Sequence, residues 1–361
     1  MNVSLLRHFR EPLIDRGFAF LKATGLHHTL APWTRGLGSI LMFHHVRPAP
    51  GDGFAPNRLL EITPEFLDEI LTKVVAAGFD IVSLDEAVAR IGQTDLLKGQ
   101  GLRPFVVLTF DDAYRDNRVH ALPILRKHQA PFTLFVTSGF AEGTARLWWV
   151  ELGQAIARLE QVKLVIAGKS VTFSTRASAQ KKAAYDWIYW RLRHLHDAEI
   201  LAATAQLCDQ ASLSPTEIVR SLCMNWDELR LMAMEPLCSI GAHSKTHALL
   251  ARHEDAVVED ELLASRQLIE QELSVEARHL AYPLGDRQSA GQREFALAKL
   301  LGYVSAVTTR PGMLFPTHAN HLTALPRMSV NGLWSDWSYL DMLLTGLPFA
   351  LWNHGRRVIV D

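Results

Sequence analysis

The stretch Phe105-Val106-Val107-Leu108-Thr109-Phe110-Asp111-Asp112 decides the fold of this chain. Its first six residues are apolar or β-branched on both alternating faces. A strand reads this way when it lies in a parallel sheet covered by helices on each side. The run stops at two carboxylates. A helix over about Asn117 to His128 and a strand over Pro131 to Val136 come next, and a strand, helix, strand alternation folds as right-handed βαβ units.

The same rhythm extends toward the N-terminus. Ser39-Ile40-Leu41-Met42-Phe43 is a short apolar strand that ends at His44-His45. Before it, residues 1 to 37 read as amphipathic helix, broken at Gly36 and Gly38. After it, Thr63 starts a helix with Pro64 at its first position, Phe79 to Val82 is a strand, and Ser83-Leu84-Asp85-Glu86 is a capping box. Toward the C-terminus, residues 141 to 222 break the rhythm. They are helix-rich and aromatic, with Trp148, Trp149, Trp187 and Trp190, and read as an insertion over a barrel rim. The alternation resumes with a helix capped by Asn225, with Glu228 three residues on. Strand Leu237 to Gly241, helix Glu254 to Leu273, strand Arg278 to Tyr282, helix Gln288 to Leu301 and strand Tyr303 to Val307 follow. The expected fold is α/β, a distorted (β/α) barrel. Residues 1–38 form a helical N-terminal segment, 39–345 the barrel domain with 141–222 inserted in it, and 346–361 a tail.

Composition excludes several functions. The chain has 361 residues, 48% hydrophobic and 21% charged, with formal net charge -1. That is a globular balance, without the basic footprint of a nucleic-acid or anionic-lipid binder. Cys208, Cys223 and Cys238 are odd in number and form no C-x-x-C, so they read as reduced thiols. Charges at Arg7, Arg10, Glu11, Asp15 and Arg16 interrupt any signal-peptide core, and no apolar run reaches bilayer length. The expected location is cytoplasmic. Oligomeric state has no signature in the sequence.

Two constellations carry chemistry. Asp111 and Asp112 end an apolar strand, and barrel active sites lie where strands end, at the carboxyl face. Neighbouring carboxylates repel unless a cation sits close. The competing reading is a solvated turn that opens on Asp-Asp. The second constellation, His243-Ser244-Lys245-Thr246-His247, directly follows Ser239-Ile240-Gly241. Histidines four apart meet on one side of a helical turn and chelate zinc-like cations; two unrelated loop histidines are the alternative. Two imidazoles plus one carboxylate leave coordination positions open for water and substrate, the pattern of a catalytic site. The remaining carboxylate is then free to act as a base.

The TFDD motif (109–112), the H-S-x-x-H motif (243–247) and Ala281-Tyr282-Pro283-Leu284-Gly285-Asp286 occur in that order. Together they resemble the polysaccharide deacetylase family, also called the NodB homology domain or carbohydrate esterase family 4, from about Ser39 to Val330. The resemblance implies a NodB-type barrel, Asp111 as catalytic base, and Asp112, His243 and His247 as ligands of one divalent metal ion. Zinc suits these ligands, with cobalt, nickel or iron as alternatives. It also puts Tyr282 and Leu284 on the substrate side, with the backbone N–H of Leu284 as oxyanion donor, a role that needs no particular side chain.

The sequence departs from the family pattern in three places. Many relatives carry an arginine at the position of Ala281, where it pairs with the catalytic aspartate; Arg327 is the candidate for that role here. The late D-x-x-D-W motif has only Asp336-Trp337 to match it. The late leucine-histidine motif that supplies the general acid is missing, and His318, His321 and His354 lie in the wrong context. Phe43-His44-His45-Val46 resembles a permuted branch, known from biofilm polysaccharide deacetylases, in which this motif has moved to the N-terminal end. That makes His44 the implied acid and His45 a supporting residue. Trp148 and Trp149 read as core of the insertion or as an aromatic floor for a sugar. Tyr114, Arg115, Asp116 and Asn117 hold the loop after the aspartates and cap the next helix.

The resemblance implies a carbohydrate de-N-acetylase acting on a polysaccharide, oligosaccharide or glycan precursor. The alternatives are an O-acetyl glycan esterase, a hydrolase of small cyclic amides, and a glycan-binding relative without catalysis.

Overall fold

A computed structural model describes residues 16–49, 51, 53–93 and 103–360. The part of the N-terminal helical reading that covers 1–15 lies outside them. The described strands are β1 (Gly38–Phe43), β2 (His45–Val46), β3 (Glu61–Ile62), β4 (Asp80–Val82), β5 (Phe105–Phe110) and β6 (Phe132–Val136). They continue with β7 (Gln161–Ile166), β8 (Lys169–Ser174), β9 (Cys238–Ala242), β10 (His279–Ala281), β11 (Ser305–Pro311) and β12 (Leu325–Ser329). Seven of them form a closed parallel barrel in the order β1-β12-β11-β10-β9-β6-β5, with β5 pairing back onto β1 from Gly38↔Phe105 to Phe43↔Phe110. β4 pairs with the first half of β5 and β6 with its second half.

Burial explains why these segments are strands. Every residue of β1, β5 and β6 is buried, because the barrel interior takes one face and the surrounding helices take the other. Phe43 and Phe110 stack inside at 5.0 Å; each fully buried ring contributes roughly 1.5–3 kcal/mol relative to exposure. The helix Pro64–Ala76 starts where Thr63 accepts a hydrogen bond from the Phe66 N–H, and it buries Phe66, Leu67, Ile70, Leu71 and Val74 as one stripe. Residues 16–24 and Leu26–Thr34 are helical, divided at Gly25. The helix Leu347–Trp352 buries Leu347 and Phe349. Among the described residues no helix is long and apolar enough to cross a membrane.

The barrel is distorted where its strands are shortest. β10 meets β9 only at Leu280↔Ala242, and the β11–β12 register shifts between Val307 and Pro311. Three readings need correction. β12 went unread, because Pro326 argues against a central strand. The helix read from Gln288 starts at Gln292, after a turn centred on Asp286. The insertion is also not purely helical. Between the helices Trp148–Arg158 and Ser178–Leu192 it carries the antiparallel β7–β8 hairpin. Strict alternation puts Val162, Leu164 and Ile166 inside, and Ala167 and Gly168, both at positive φ, form the two-residue turn that such hairpins favour. The helices Asp197–Gln210 and Pro215–Leu222 complete the insertion.

Candidate active site

The carboxyl ends of the barrel strands open into a cleft of about 540 Å³, roofed by the insertion and lined by His44, Asp111, Asp112, His243, His247 and Leu284 among others. Each of these residues follows a strand: His44 follows β1, the aspartates β5, the histidine loop β9, and Leu284 lies three residues past β10. Four of the positions that shape the site hold positive φ without being glycine: Asp112 at 67°, Ser244 at 59°, His247 at 61° and Leu284 at 59°. Such backbones cost energy and persist only where the surroundings hold them.

Those surroundings are specific. The buried Glu261 carboxylate, on the helix Asp255–Leu273, accepts from the Lys245 N–H at 3.0 Å, the Thr246 N–H at 2.9 Å and the Thr246 hydroxyl at 2.6 Å. Ser244 Oγ accepts from the His247 N–H at 3.0 Å, and Ser265 Oγ donates to the Ser244 carbonyl. Gly139 N–H donates to the Lys245 carbonyl, and a Cβ on Gly139 would lie 2.6 Å from that oxygen, so the loop is braced where only glycine fits. Nothing local in the sequence separates Glu261 from its acidic neighbours Glu259 and Asp260, so the sequence did not reveal this brace.

Asp112 Oδ1 lies 3.5 Å from Nε2 of His243 and 3.5 Å from Nε2 of His247. All three residues are buried, and their ligand-type atoms fall within 4.8 Å of one another. His243 Nδ1 faces the Ala281 carbonyl at 2.7 Å; donating there leaves Nε2 as the free lone pair. Asp112 Oδ1 is buried with no protein partner, a costly arrangement that a cation at the centre of the three residues would relieve. Burial, then the neighbouring Asp111 charge, pushes the Asp112 carboxyl up to about 8. Burial lowers both His243 and His247, so both imidazoles stand neutral, the form that ligates. The donor set fits a zinc-like ion.

Asp111 has a different environment. Burial alone would raise its carboxyl, but the Arg327 guanidinium overrides this and holds it well below the usual carboxylate range. Arg327 Nη1 and Nη2 each donate to one Asp111 oxygen at 2.7 Å. Arg327 also donates from Nε to the Thr308 carbonyl at 2.9 Å and from Nη1 to Thr109 Oγ1 at 3.2 Å. Arg327 is fully buried within β12, so its fork is fixed from three sides.

His44 Nε2 is 4.0 Å from Asp111 Oδ2. Burial pushes the imidazole down to about 4 despite the pull of Asp111. Its neighbourhood is tied together by the loop after the aspartates. Asn117 Nδ2 donates to the His44 carbonyl at 2.7 Å, Asp116 meets His45 Nδ1 at 2.6 Å, and His45 stacks on Tyr114 at 3.5 Å. Arg115 anchors the same loop to Glu228. Trp149 tilts against His247 at 4.8 Å and lines the cleft, whereas Trp148 stacks on Tyr189.

The cleft thus gathers Asp111, Asp112, His44, His243, His247 and Leu284, with Arg327 directly behind Asp111. The Tyr282 side chain is not among them. It is buried in the main core and donates to the Thr323 carbonyl at 2.8 Å, so only its backbone belongs to the loop near the site. Leu284 accepts from Thr309 Oγ1 through its carbonyl at 2.6 Å, and among the described residues its N–H meets no protein acceptor. Asp336 caps the helix Trp337–Leu344 and does not line the cleft.

Residues 98–305, more than half of the chain, match the model of the family described as polysaccharide deacetylase. No curated protein matches. Among solved structures, the Streptococcus pyogenes deacetylase PplD, in complex with acetate, is 19% identical over 85% of this chain and 97% of that one, with a TM-score of 0.54. A de-N-acetylase from Aggregatibacter actinomycetemcomitans is 12% identical over 84% and 98%, with a TM-score of 0.51. A polysaccharide deacetylase from Bacillus cereus is 14% identical over 85% and 68%, with a TM-score of 0.50. At these identities the likeness to solved structures is one of fold.

Proposed function

Because the chain belongs to the polysaccharide deacetylase family, we propose that it is a metal-dependent hydrolase removing acetyl groups from N-acetylated sugars of a glycan. One observation carries this reading: the unpartnered Asp112 Oδ1 lies equidistant from two imidazole nitrogens, beside an aspartate that a buried arginine keeps ionised. Asp112, His243 and His247 would hold the ion, with zinc the best fit to two imidazoles and a carboxylate. A bound ion of this kind lowers the pKa of water toward about 7 and polarises a carbonyl.

The chain's own groups do the rest. Asp111 takes a proton from the water that attacks the acetyl carbon, and Arg327 fixes both its charge and its orientation. The Leu284 N–H donates to the oxygen of the tetrahedral centre, where a fixed donor stabilises developing charge. His44 protonates the departing sugar amine. It is neutral at rest, so it must be loaded within the cycle. Negative charge developing beside it raises its proton affinity. Asp111 Oδ2, 4.0 Å from His44 Nε2, is the group that hands on the proton it took from the water.

Zinc-loaded protein incubated with N-acetylated oligosaccharides should release acetate, and chelation should stop the release. Glycan binding without acetate release from amide or ester would sink the reading.

A further inference from the structure

We propose that His27, His28 and Asp341 form a metal site separate from the Asp112 cluster. It takes a divalent transition cation such as zinc or nickel and staples the helix Leu26–Thr34 to the helix Trp337–Leu344. None of the three residues lines the cleft, and the site stands apart from the deacetylase reading.

Adjacent residues on a helix point about 100° apart, so neighbouring histidines ordinarily diverge. These two converge. Their ring centroids lie 4.1 Å apart, with the planes tilted by 38°. One ligand-type atom from each imidazole and one from Asp341 all fall within 4.8 Å of one another, and His28 Nε2 is 3.3 Å from Asp341 Oδ2. The buried ring is set up to ligate. His27 Nδ1 faces the Leu21 carbonyl at 2.9 Å; donating there leaves Nε2 as the lone pair. His243 is held in the same way by the Ala281 carbonyl in the Asp112 cluster. The side chain of His28 is 58% exposed, so an ion reaches the site from solvent and keeps water in its remaining positions.

The two helices are already docked where the site lies. Leu21, Met342 and Leu347 form one apolar cluster, with Leu30 packed against it. Phe18 stands edge-on to Tyr339 at 5.3 Å, and Lys22 Nζ donates to Ser338 Oγ at 3.1 Å. Two imidazoles and a carboxylate suit zinc, nickel or copper, whereas magnesium and calcium take oxygen ligands. The first turn of a helix disfavours a bare cation, and the Asp341 carboxylate offsets that here. The competing reading is a plain His28–Asp341 ion pair, which needs a protonated His28, no metal and nothing from His27.

The test is a zinc titration of the full chain carrying His243→Ala and His247→Ala, which removes two ligands of the Asp112 cluster. One zinc ion per chain should still bind, with nickel competing for it and magnesium failing to compete. Adding His28→Ala or Asp341→Asn should abolish that binding. Zinc should raise the thermal midpoint of the first protein and leave that of the further variants unmoved. If the His243→Ala, His247→Ala protein does not fold, the native sequence answers the same question, because its surface variant His28→Ala should bind one zinc ion fewer than it does. Equal zinc stoichiometry with and without His28, no zinc bound once the Asp112 cluster is removed, or displacement of zinc by magnesium overturns the site. Each of those results leaves the deacetylase reading untouched.

Discussion

Arg327 and Asp111 form two parallel hydrogen bonds of 2.7 Å in a fully buried pair that links β12 to the end of β5. Breaking such a pair leaves an uncompensated buried charge, worth about 3–5 kcal/mol. Arg327→Met should therefore lower stability by that order. The pH dependence has a definite sign. Asp111 is depressed in the folded state, so its pairing stabilises above the unfolded carboxylate pKa and is lost as pH falls through the folded value. Without Arg327 that loss begins at higher pH. Thermal melts from neutral to acid should show the variant failing earlier on the acid side, and the acid limb of kcat should move up with it. An unshifted limb would mean that Arg327 does not govern Asp111.

The two adjacent aspartates should separate cleanly. Asp111→Asn should abolish turnover with the ion retained, since only proton abstraction is lost. Asp112→Asn, His243→Ala and His247→Ala should each lower metal content and turnover together. Metal analysis alongside acetate release distinguishes the two classes, and a reversal would exchange the roles of the aspartates.

Metal binding should release about one proton near pH 7, and Asp112 should be its source. Its carboxyl sits up at about 8, while both imidazoles are lowered and already neutral. A ligand must be deprotonated to bind, so zinc affinity should fall by about tenfold per pH unit below 8. Calorimetry in buffers of different ionisation enthalpy counts the protons. A count near zero would mean that Asp112 is already ionised before the ion binds.

Glu261 is a positioning residue, holding the turn that presents His247 at positive φ. Glu261→Gln keeps the shape but offers one acceptor oxygen in place of two. Zinc affinity should drop by about 10- to 100-fold, as for other outer partners of metal ligands, with kcat of the saturated enzyme little changed. A fall in kcat at full metal occupancy would contradict a purely positioning role.

These residues differ in how far the sequence discloses them. Asp111, Asp112 and His243 were legible because they sit directly after apolar strands, where periodicity and motif agree, and His247 because it stands four residues beyond His243. Arg327 was harder. It lies in a strand that Pro326 disguises, and its partner is 216 positions away, a distance no local pattern spans. Glu261 had no local signature at all. Its role comes from which loop packs against which helix. The β7–β8 hairpin has its signature in the alternation of Val162, Leu164 and Ile166, within a segment whose overall pattern is helix-rich.

His44 is the assignment with the widest consequence. A sugar amine leaves poorly unless it is protonated as the tetrahedral centre collapses, so amide cleavage needs an acid within reach. Of the histidines lining the cleft, His243 and His247 face Asp112, which leaves His44, with Nε2 4.0 Å from Asp111. His318 is buried and bonded within its own turn, with its Nδ1 facing the Phe315 carbonyl at 3.2 Å. Replacing His44 with alanine should lower kcat on N-acetyl substrates by roughly 10²- to 10⁴-fold, the usual range for a lost general acid. Metal content should stay the same, because His44 lies outside the Asp112 cluster. Activated acetate esters, whose leaving groups need no proton, should lose far less. The amide-to-ester activity ratio is therefore the measurement that matters. If it is the same in the variant and the native protein, His44 is not the acid, and its depressed imidazole serves only to pack the rim beside Asp111.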